Sequence, residues 1–341
     1  MKLHFDTDYM RGAHPEVMKR LVETNMEQTP GYGTDKYTEN AKKLIKEACD
    51  TPDADVFFLT GGTQTNMTVI DAVLAKHEGV VCAETGHINV HEAGAIEATG
   101  HKVLTLPSHE GKIDVDELDR YIKDFYADET YDHMVAPGMV YISYPTEYGT
   151  LYSLNELKDL RKVCDKYDIP LFIDGARLGY GLAAQPEVTL KDIASLADVF
   201  YIGGTKVGAL FGEAVVVPRK KLIKHIVPTV KQHGALLAKG RLLGLQFERL
   251  FTDNLYYEIG KSAVDCAMAL KQGFKNKGFK LFIDSPTNQQ FFQLPNETVD
   301  KLSEICTFEY WGPRGEKESV VRFVTDWGTK RDDIESLLKS I

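Results

Sequence analysis

Short apolar runs alternate with amphipathic segments through the first two thirds of this chain, and that alternation limits the folds open to it. The runs are Val56-Phe57-Phe58-Leu59, Val80-Val81-Cys82, Val103-Leu104-Thr105-Leu106, Met139-Val140-Tyr141-Ile142, Leu171-Phe172-Ile173 and Val199-Phe200-Tyr201-Ile202, with Ala214-Val215-Val216-Val217 as a seventh. They are short, β-branched and aromatic, as buried strands are. Helical patterns between them include 63–77, 114–126 and 154–167, and Ser153-Leu154-Asn155-Glu156 opens the last as a capping box. The alternation predicts an α/β fold, an open and mostly parallel sheet covered on both faces.

After residue 220 the texture changes. Two helical segments, 234–251 and 255–277, precede the strand-like pieces Lys280-Leu281-Phe282-Ile283, Gln290-Phe291-Phe292-Gln293-Leu294 and Val320-Val321-Arg322-Phe323-Val324, and an amphipathic helix runs from Lys330 to the end. With 341 residues, more than one simple core holds, this predicts a large domain over 1–230 and a small C-terminal α+β domain over 231–341. The first residues can join the small domain.

Composition excludes several classes. Hydrophobic content is 43% and no apolar run reaches membrane-spanning length. The start, Met1-Lys2-Leu3-His4-Phe5-Asp6, has no signal-peptide core, so a cytoplasmic protein is expected. A net charge of −10 without a long basic stripe argues against general nucleic-acid binding. The cluster Arg219-Lys220-Lys221 reads as a solvated helix start. Five dispersed cysteines without a CxxC pair imply neither a disulfide framework nor a zinc site, and Cys82 and Cys266 read as small core residues.

Two strand ends carry the chemistry. Phe172-Ile173-Asp174-Gly175-Ala176-Arg177 delivers a carboxylate and a guanidinium, and Tyr201-Ile202-Gly203-Gly204-Thr205-Lys206 delivers an amine. Placed together at the carboxyl edge of a sheet they can serve pyridoxal phosphate, Asp174 pairing with the pyridinium nitrogen and Lys206 forming the Schiff base. Singly, each reads as an ordinary charge at a strand end. Thr60-Gly61-Gly62-Thr63-Gln64-Thr65-Asn66 follows a strand and opens a helix, so it can be a phosphate cup with Thr63 and Gln64 as side-chain donors. It reads equally as a Gly-rich turn with Thr63 as the helix N-cap. In Gly86-His87-Ile88-Asn89-Val90-His91-Glu92-Ala93-Gly94, His87 is placed to stack on a cofactor and move protons. The spacing of His87 and His91 admits a metal pair, but no third ligand is evident, and His91 reads as a surface residue.

In order and spacing, the set Thr60-Gly61-Gly62-Thr63, His87 with Glu92-Ala93-Gly94, Asp174-Gly175-Ala176-Arg177 and Thr205-Lys206 resembles the threonine aldolase and aromatic amino-acid β-eliminating lyase family. The likeness extends to Tyr32-Gly33 and Val321-Arg322-Phe323-Val324-Thr325. It implies the fold of the pyridoxal-phosphate-dependent transferases (fold type I, that of aspartate aminotransferase), with a seven-stranded sheet in the large domain. It implies Lys206 as the Schiff-base lysine, Asp174 as the pyridinium partner, His87 stacked on the ring, and Gly62 and Thr63 on the phosphate. Arg177 and Arg322 would hold the substrate carboxylate, Thr7 would stand where the family has a small hydroxyl residue, and Tyr32 would reach a neighbouring subunit's site. His133 falls near a second family histidine. The chain departs in Gly61-Gly62-Thr63, where Ser-Gly-Thr is usual, and in Ser143-Tyr144-Pro145-Thr146-Glu147, which replaces an asparagine-rich segment. Lys239 stands in for a family arginine.

The expected activity is therefore a lyase that cleaves the Cα–Cβ bond of a β-hydroxy-α-amino acid, threonine or allo-threonine, to glycine and an aldehyde, with His87 as the base. No metal is expected, and the assembly is a homodimer or homotetramer. β-Elimination or transamination on the same cofactor are alternatives. A non-catalytic nucleotide or sugar-phosphate binder on a doubly wound sheet is the alternative from another class.

Overall fold

Seven strands form the central sheet of the computed structural model, in the order Asp55–Leu59, Glu213–Val217, Val199–Gly203, Leu171–Asp174, Ala136–Ser143, Glu78–Ala83 and Lys102–Leu106. The structure describes residues 2–218, 222–223 and 226–341, so Met1 and the Arg219-Lys220-Lys221 cluster lie outside it. All seven expected strands are present. Only Glu213–Val217 runs antiparallel to its neighbours. The link from Gly203 to Glu213 is too short for the crossover a parallel pair needs, so the chain turns back on itself. Thr205 and Lys206 sit in that link.

Alternate residues along the strands feed two cores. Ile142, Ile173, Phe200 and Ile202 join one cluster, whereas Tyr141, Phe172, Val199 and Tyr201 join the other, so both faces are covered. The capping box at Ser153 and Glu156 is made. Helix Gly62–Val73 has Gly61 at its N-cap, not Thr63, and no side chain closes that end.

The small domain holds an antiparallel sheet in the order Glu309–Tyr310, Glu318–Val324, Gln289–Pro295 and Lys280–Ile283. Strand Leu3–His4 pairs with Cys306–Thr307, which ties the N-terminus to this domain. Of the helix expected over 234–251 only Arg241–Leu250 forms; a separate helix, Ile226–Gln232, ends just before Gly234, which takes a positive φ of 70°. Phe247 and Leu250 are in the large-domain core, so the cores do not divide near residue 230. They divide inside helix Leu255–Asn276, whose Ile259 and Ala263 face the large core and whose Leu270 and Phe274 face the small one. All five cysteines are buried, and no disulfide joins any of them. Among the described residues no helix is long and apolar enough to cross a membrane.

Glycines set the spacing of the two strand ends that matter. A Cβ on Gly175 would lie 1.9 Å from the Tyr201 carbonyl oxygen, and one on Gly203 would lie 2.3 Å from that of Ala176. The Gly203 N–H donates to the Gly175 carbonyl at 2.9 Å across this close approach. Gly175→Ala is expected to force the strands apart and to destabilise the fold by about 1–3 kcal/mol, the usual range for overpacking. Chemical denaturation measures this, and an unchanged midpoint would show that the contact relaxes freely.

Candidate active site

The carboxyl ends of Ala136–Ser143, Leu171–Asp174 and Val199–Gly203 open into one crevice, the place where parallel sheets bind ligands. Two adjoining chambers of about 250 and 260 Å³ occupy it, both lined by Tyr9, His87, Glu147, Arg177 and Lys206. The first adds Asp174 and the Gly62-Thr63 turn, and the second adds Arg322 and His91. Residues far apart in sequence thus share one cavity.

Asp174 is buried and accepts four hydrogen bonds. Tyr201 (2.5 Å) and the Ala176 N–H (2.9 Å) donate to Oδ1, and Tyr141 (2.6 Å) and Asn66 (3.0 Å) donate to Oδ2. Burial alone would raise its pKa, but the His87 charge and the tyrosine hydroxyls outweigh it, and the carboxyl titrates below the ordinary range. Asn66 also donates to Glu92 at 2.7 Å, and Glu92 holds Nδ1 of His87 at 2.7 Å. One amide therefore links Asp174 to the carboxylate that orients the imidazole.

The Lys206 amine makes no hydrogen bond or ion pair among the described residues, though the Lys206 carbonyl accepts from the Tyr180 hydroxyl; the Tyr9 ring lies 5.9 Å from its Nζ. Burial and then the Arg177 charge pull its pKa down, against the opposing pull of Asp8 and Asp174. Glu213 is buried behind it and accepts the Gly204 N–H at 3.0 Å; burial raises its pKa. Thr205 lines the cavity, and its Oγ1 accepts the Gly212 N–H at 3.0 Å.

Arg177 is clamped by Asp8, Nε to Oδ2 at 2.7 Å and Nη2 to Oδ1 at 3.0 Å, which leaves Nη1 without a described partner. Arg322 donates to Gln289 at 2.8 Å and to Glu309, and lies 5.2 Å from the Trp311 ring centroid. Both guanidiniums face the second chamber.

Several expected residues stand elsewhere. Gln64 does not offer a side-chain donor to the cup, because its amide accepts from Thr60 and donates to the His233 carbonyl at 3.1 Å. Thr7 does not line the cavity, and its Oγ1 is buried without a partner; its neighbours Asp8 and Tyr9 do the work at that end. Tyr32 is 53% exposed and lines a separate, apolar hollow with Leu236 and Leu243. His133 lies in the turn Tyr131–His133 before strand Ala136–Ser143, hence at the opposite edge of the sheet from the crevice. Lys239 is exposed and is not part of either chamber. His91 is exposed yet faces the second chamber, its ring 5.6 Å from that of His87. Among the described residues no cluster of three or more His, Cys, Asp or Glu could hold a metal.

The donor set suits pyridoxal phosphate. An unpaired buried amine and a carboxylate held ionised face one chamber. Beside them the helix Gly62–Val73 begins without a side-chain cap, and a Cβ on Gly61 would meet nothing within 4 Å, so the turn is open to an anion.

The sequence matches the family described as beta-eliminating lyase over residues 4–294. The chain belongs to that family. It is 28% identical to the low specificity L-threonine aldolase of Pseudomonas aeruginosa, over 99% of this chain and 96% of that one. A solved Leishmania major threonine aldolase superposes with a TM-score of 0.95 and 40% identity, covering 99% and 98% of the two chains. Aspartate aminotransferase from Thermus thermophilus, at a TM-score of 0.70 and 11% identity over 99% and 90%, shares the fold alone. The lyase therefore has the fold of the pyridoxal-phosphate-dependent transferases.

The tyrosine hydroxyls give a test of the Asp174 electrostatics. Tyr201→Phe removes one donor, so the Asp174 titration moves to higher pH in the cofactor-free protein, as read by carbon NMR. Because a depressed pKa contributes stability above the unfolded value that is lost as pH falls through the folded one, acid unfolding of the variant begins at higher pH. A midpoint that stays or falls would mean that the hydroxyl does not stabilise the ionised form.

Proposed function

We propose that this lyase uses pyridoxal phosphate to cleave the Cα–Cβ bond of L-threonine or a related β-hydroxy-α-amino acid, releasing glycine and an aldehyde. The observation that carries it is the unpaired Lys206 amine facing Asp174 in a cavity that also holds Arg177 and Arg322. The substrate class rests on the threonine aldolases among its relatives.

Lys206 would hold the cofactor's aldehyde carbon, Asp174 its ring nitrogen, and the backbone of Gly62 and Thr63 its phosphate, with Thr205 alongside. Bound there, the cofactor supplies an electron sink for the pair left on the substrate α-carbon. Asp174 would keep a proton on the ring nitrogen, a task for which its four donors hold it ionised. The lowered pKa of Lys206 leaves more of it neutral, and so nucleophilic, near neutral pH. His87, oriented by Glu92, would stand against the cofactor ring. The free Nη1 of Arg177 and the Arg322 guanidinium orient the substrate carboxylate.

Incubating the loaded enzyme with a panel of amino acids tests the reading. Glycine and acetaldehyde from threonine are expected; an oxo acid with ammonia would indicate elimination instead. Lys206→Ala is expected to lose both turnover and the cofactor's visible absorbance, and a lysine adduct that still traps with borohydride would assign the role to another lysine. Asp174→Asn should bind cofactor but turn over on the order of a hundredfold more slowly, the scale of losing one preorganised charge.

The enzyme is proposed to act in the cytoplasm as a homodimer or homotetramer in which Tyr32 completes a neighbour's site. Tyr32 stands apart from its own cavity, exposed, at a φ of 59°, with Lys231 5.3 Å over its ring. Mixing inactive Lys206→Ala and Tyr32→Ala chains under subunit exchange should restore partial activity. Exchange without recovery would remove the shared site.

A further inference from the structure

We propose that Glu147 is the group that takes the β-hydroxyl proton of the substrate, an inference that rests on the aldol-cleavage reading above. Glu147 lines both chambers described above and also a third, walled by Tyr148, Tyr310 and Trp311. An amino acid with its amine at Lys206 and its carboxylate on the two arginines directs its remaining heavy substituent toward that third chamber. Glu147 stands where the three meet. A hydroxyl on the β-carbon is thereby brought to its carboxyl group.

The carboxyl group is held for the task. Its Oε1 accepts from the Ser143 hydroxyl at 2.6 Å and from the His87 N–H at 2.9 Å. Its own backbone N–H also acts on the carboxyl group, and no other residue among the described ones donates to Oε2. His87 is less free to serve, since its Nδ1 is fixed on Glu92 and through Asn66 shares a network with Asp174. The charged groups facing Glu147 are His87, His91, Asp174, Arg177 and Glu213 from the large domain, Lys206 from the link before Glu213, and Glu309 and Arg322 from the small domain. Behind it lie Cys82, Tyr141 and Tyr152, whose own pKa values are all raised, chiefly by burial. Burial pushes the Glu147 pKa up, with the Asp174 charge in the same direction and Ser143 and His87 opposing. A carboxyl group raised in this way is a better-matched base near neutral pH than an ordinary glutamate.

The step balances without an added reactant. The β-hydroxyl proton passes to Glu147, the O–H electron pair becomes the second bond of the aldehyde carbonyl, and the Cα–Cβ bond breaks. Its electron pair stays with the α-carbon, which takes a proton to give glycine. Glu147 then returns its proton to water.

Exchange of the glycine α-proton into heavy water shares the amine, carboxylate and α-carbon requirements of the reaction but involves no β-hydroxyl, so it separates this role from a structural one. In the loaded Glu147→Gln enzyme, threonine cleavage should fall about 100-fold or more, the scale of losing a general base. Glycine affinity by equilibrium titration, and glycine exchange followed by NMR, should both stay within about threefold, because neither uses that proton transfer. Equal loss of all three would make Glu147 structural and overturn the proposal, as would near-normal cleavage. A wild-type enzyme that exchanges glycine but yields none from threonine would instead defeat the aldol reading itself, and this proposal with it. Should Glu147→Gln fail to fold, Ser143→Ala decides. Losing the hydroxyl donor raises the Glu147 pKa, so the acid limb of kcat/KM for threonine moves to higher pH while glycine exchange keeps its profile. An unmoved limb overturns the assignment.

Discussion

The ion pair between Asp8 and Arg177 is the joint on which the site depends. It brings together the N-terminal segment and the exit of strand Leu171–Asp174, and Asn288 of the small domain donates to the same Asp8 oxygen at 3.0 Å. The Asp8 side chain is fully buried, so two charges have been taken from water. That desolvation is repaid only by good geometry, and here it is bidentate with a third donor. Removing either partner alone would strand a buried charge at a cost of about 3–5 kcal/mol. The Arg177 and Lys206 charges overcome the effect of burial and keep Asp8 ionised, so the pair is tied to the catalytic amine as well as to the fold.

From that joint the electrostatics of the cavity follow as a graded series. Asp174 is surrounded by donors and remains a carboxylate. Glu147 and Glu213 have fewer donors relative to their burial and are shifted toward the neutral form. Lys206 sits among these groups with Arg177 on one side, and its charge is disfavoured. Carboxyl groups in one cleft with pKa values pushed apart are what division between charge holding and proton transfer requires. The difference comes from neighbours, since Asp174 has Tyr141, Tyr201, Asn66 and a backbone N–H whereas Glu147 has Ser143 and, besides its own backbone N–H, that of His87.

How much could be read from the chain depended on how local the cause was. The strands, the Ser153 capping box and the convergence of Asp174 with Lys206 are short-range patterns, and the sheet follows from them. Asp8 escaped notice because its partner is 169 residues away and nothing in its own neighbourhood marks it as buried. Tyr141 and Tyr201 read as core aromatics, which they are, and only the fold shows that their hydroxyls turn onto Asp174. Glu147 was within reach, for it follows a strand's carboxyl end just as Asp174 does. The helix expected over 234–251 begins only at Arg241, a late start that had a local signal, since Gly234 and Gly240 bracket the stretch that stays non-helical. Gln64 failed for the opposite reason. One of its N–H donors goes to the His233 carbonyl, a partner that sequence spacing could not supply.

The two arginines of the cavity differ in a way that bears on substrate entry. Arg177 is pinned by a carboxylate with 0% side-chain exposure, so its Nε and Nη2 belong to the fold. Arg322 is paired with Glu309, whose side chain is 48% exposed and can be rehydrated when it lets go. On separation water compensates only the half-exposed Glu309 end, and the buried Arg322 end needs a replacement carboxylate. Trading Glu309 for a substrate carboxylate therefore replaces one charge-assisted bond with another, whereas displacing Asp8 would leave a charge without water. Burial would lower the Arg322 pKa, with Arg177 acting in the same sense, and a second carboxylate in the chamber opposes both. On the proposed reading a substrate carboxylate would therefore be taken up by the small-domain arginine, against a guanidinium that the fold has already locked in place.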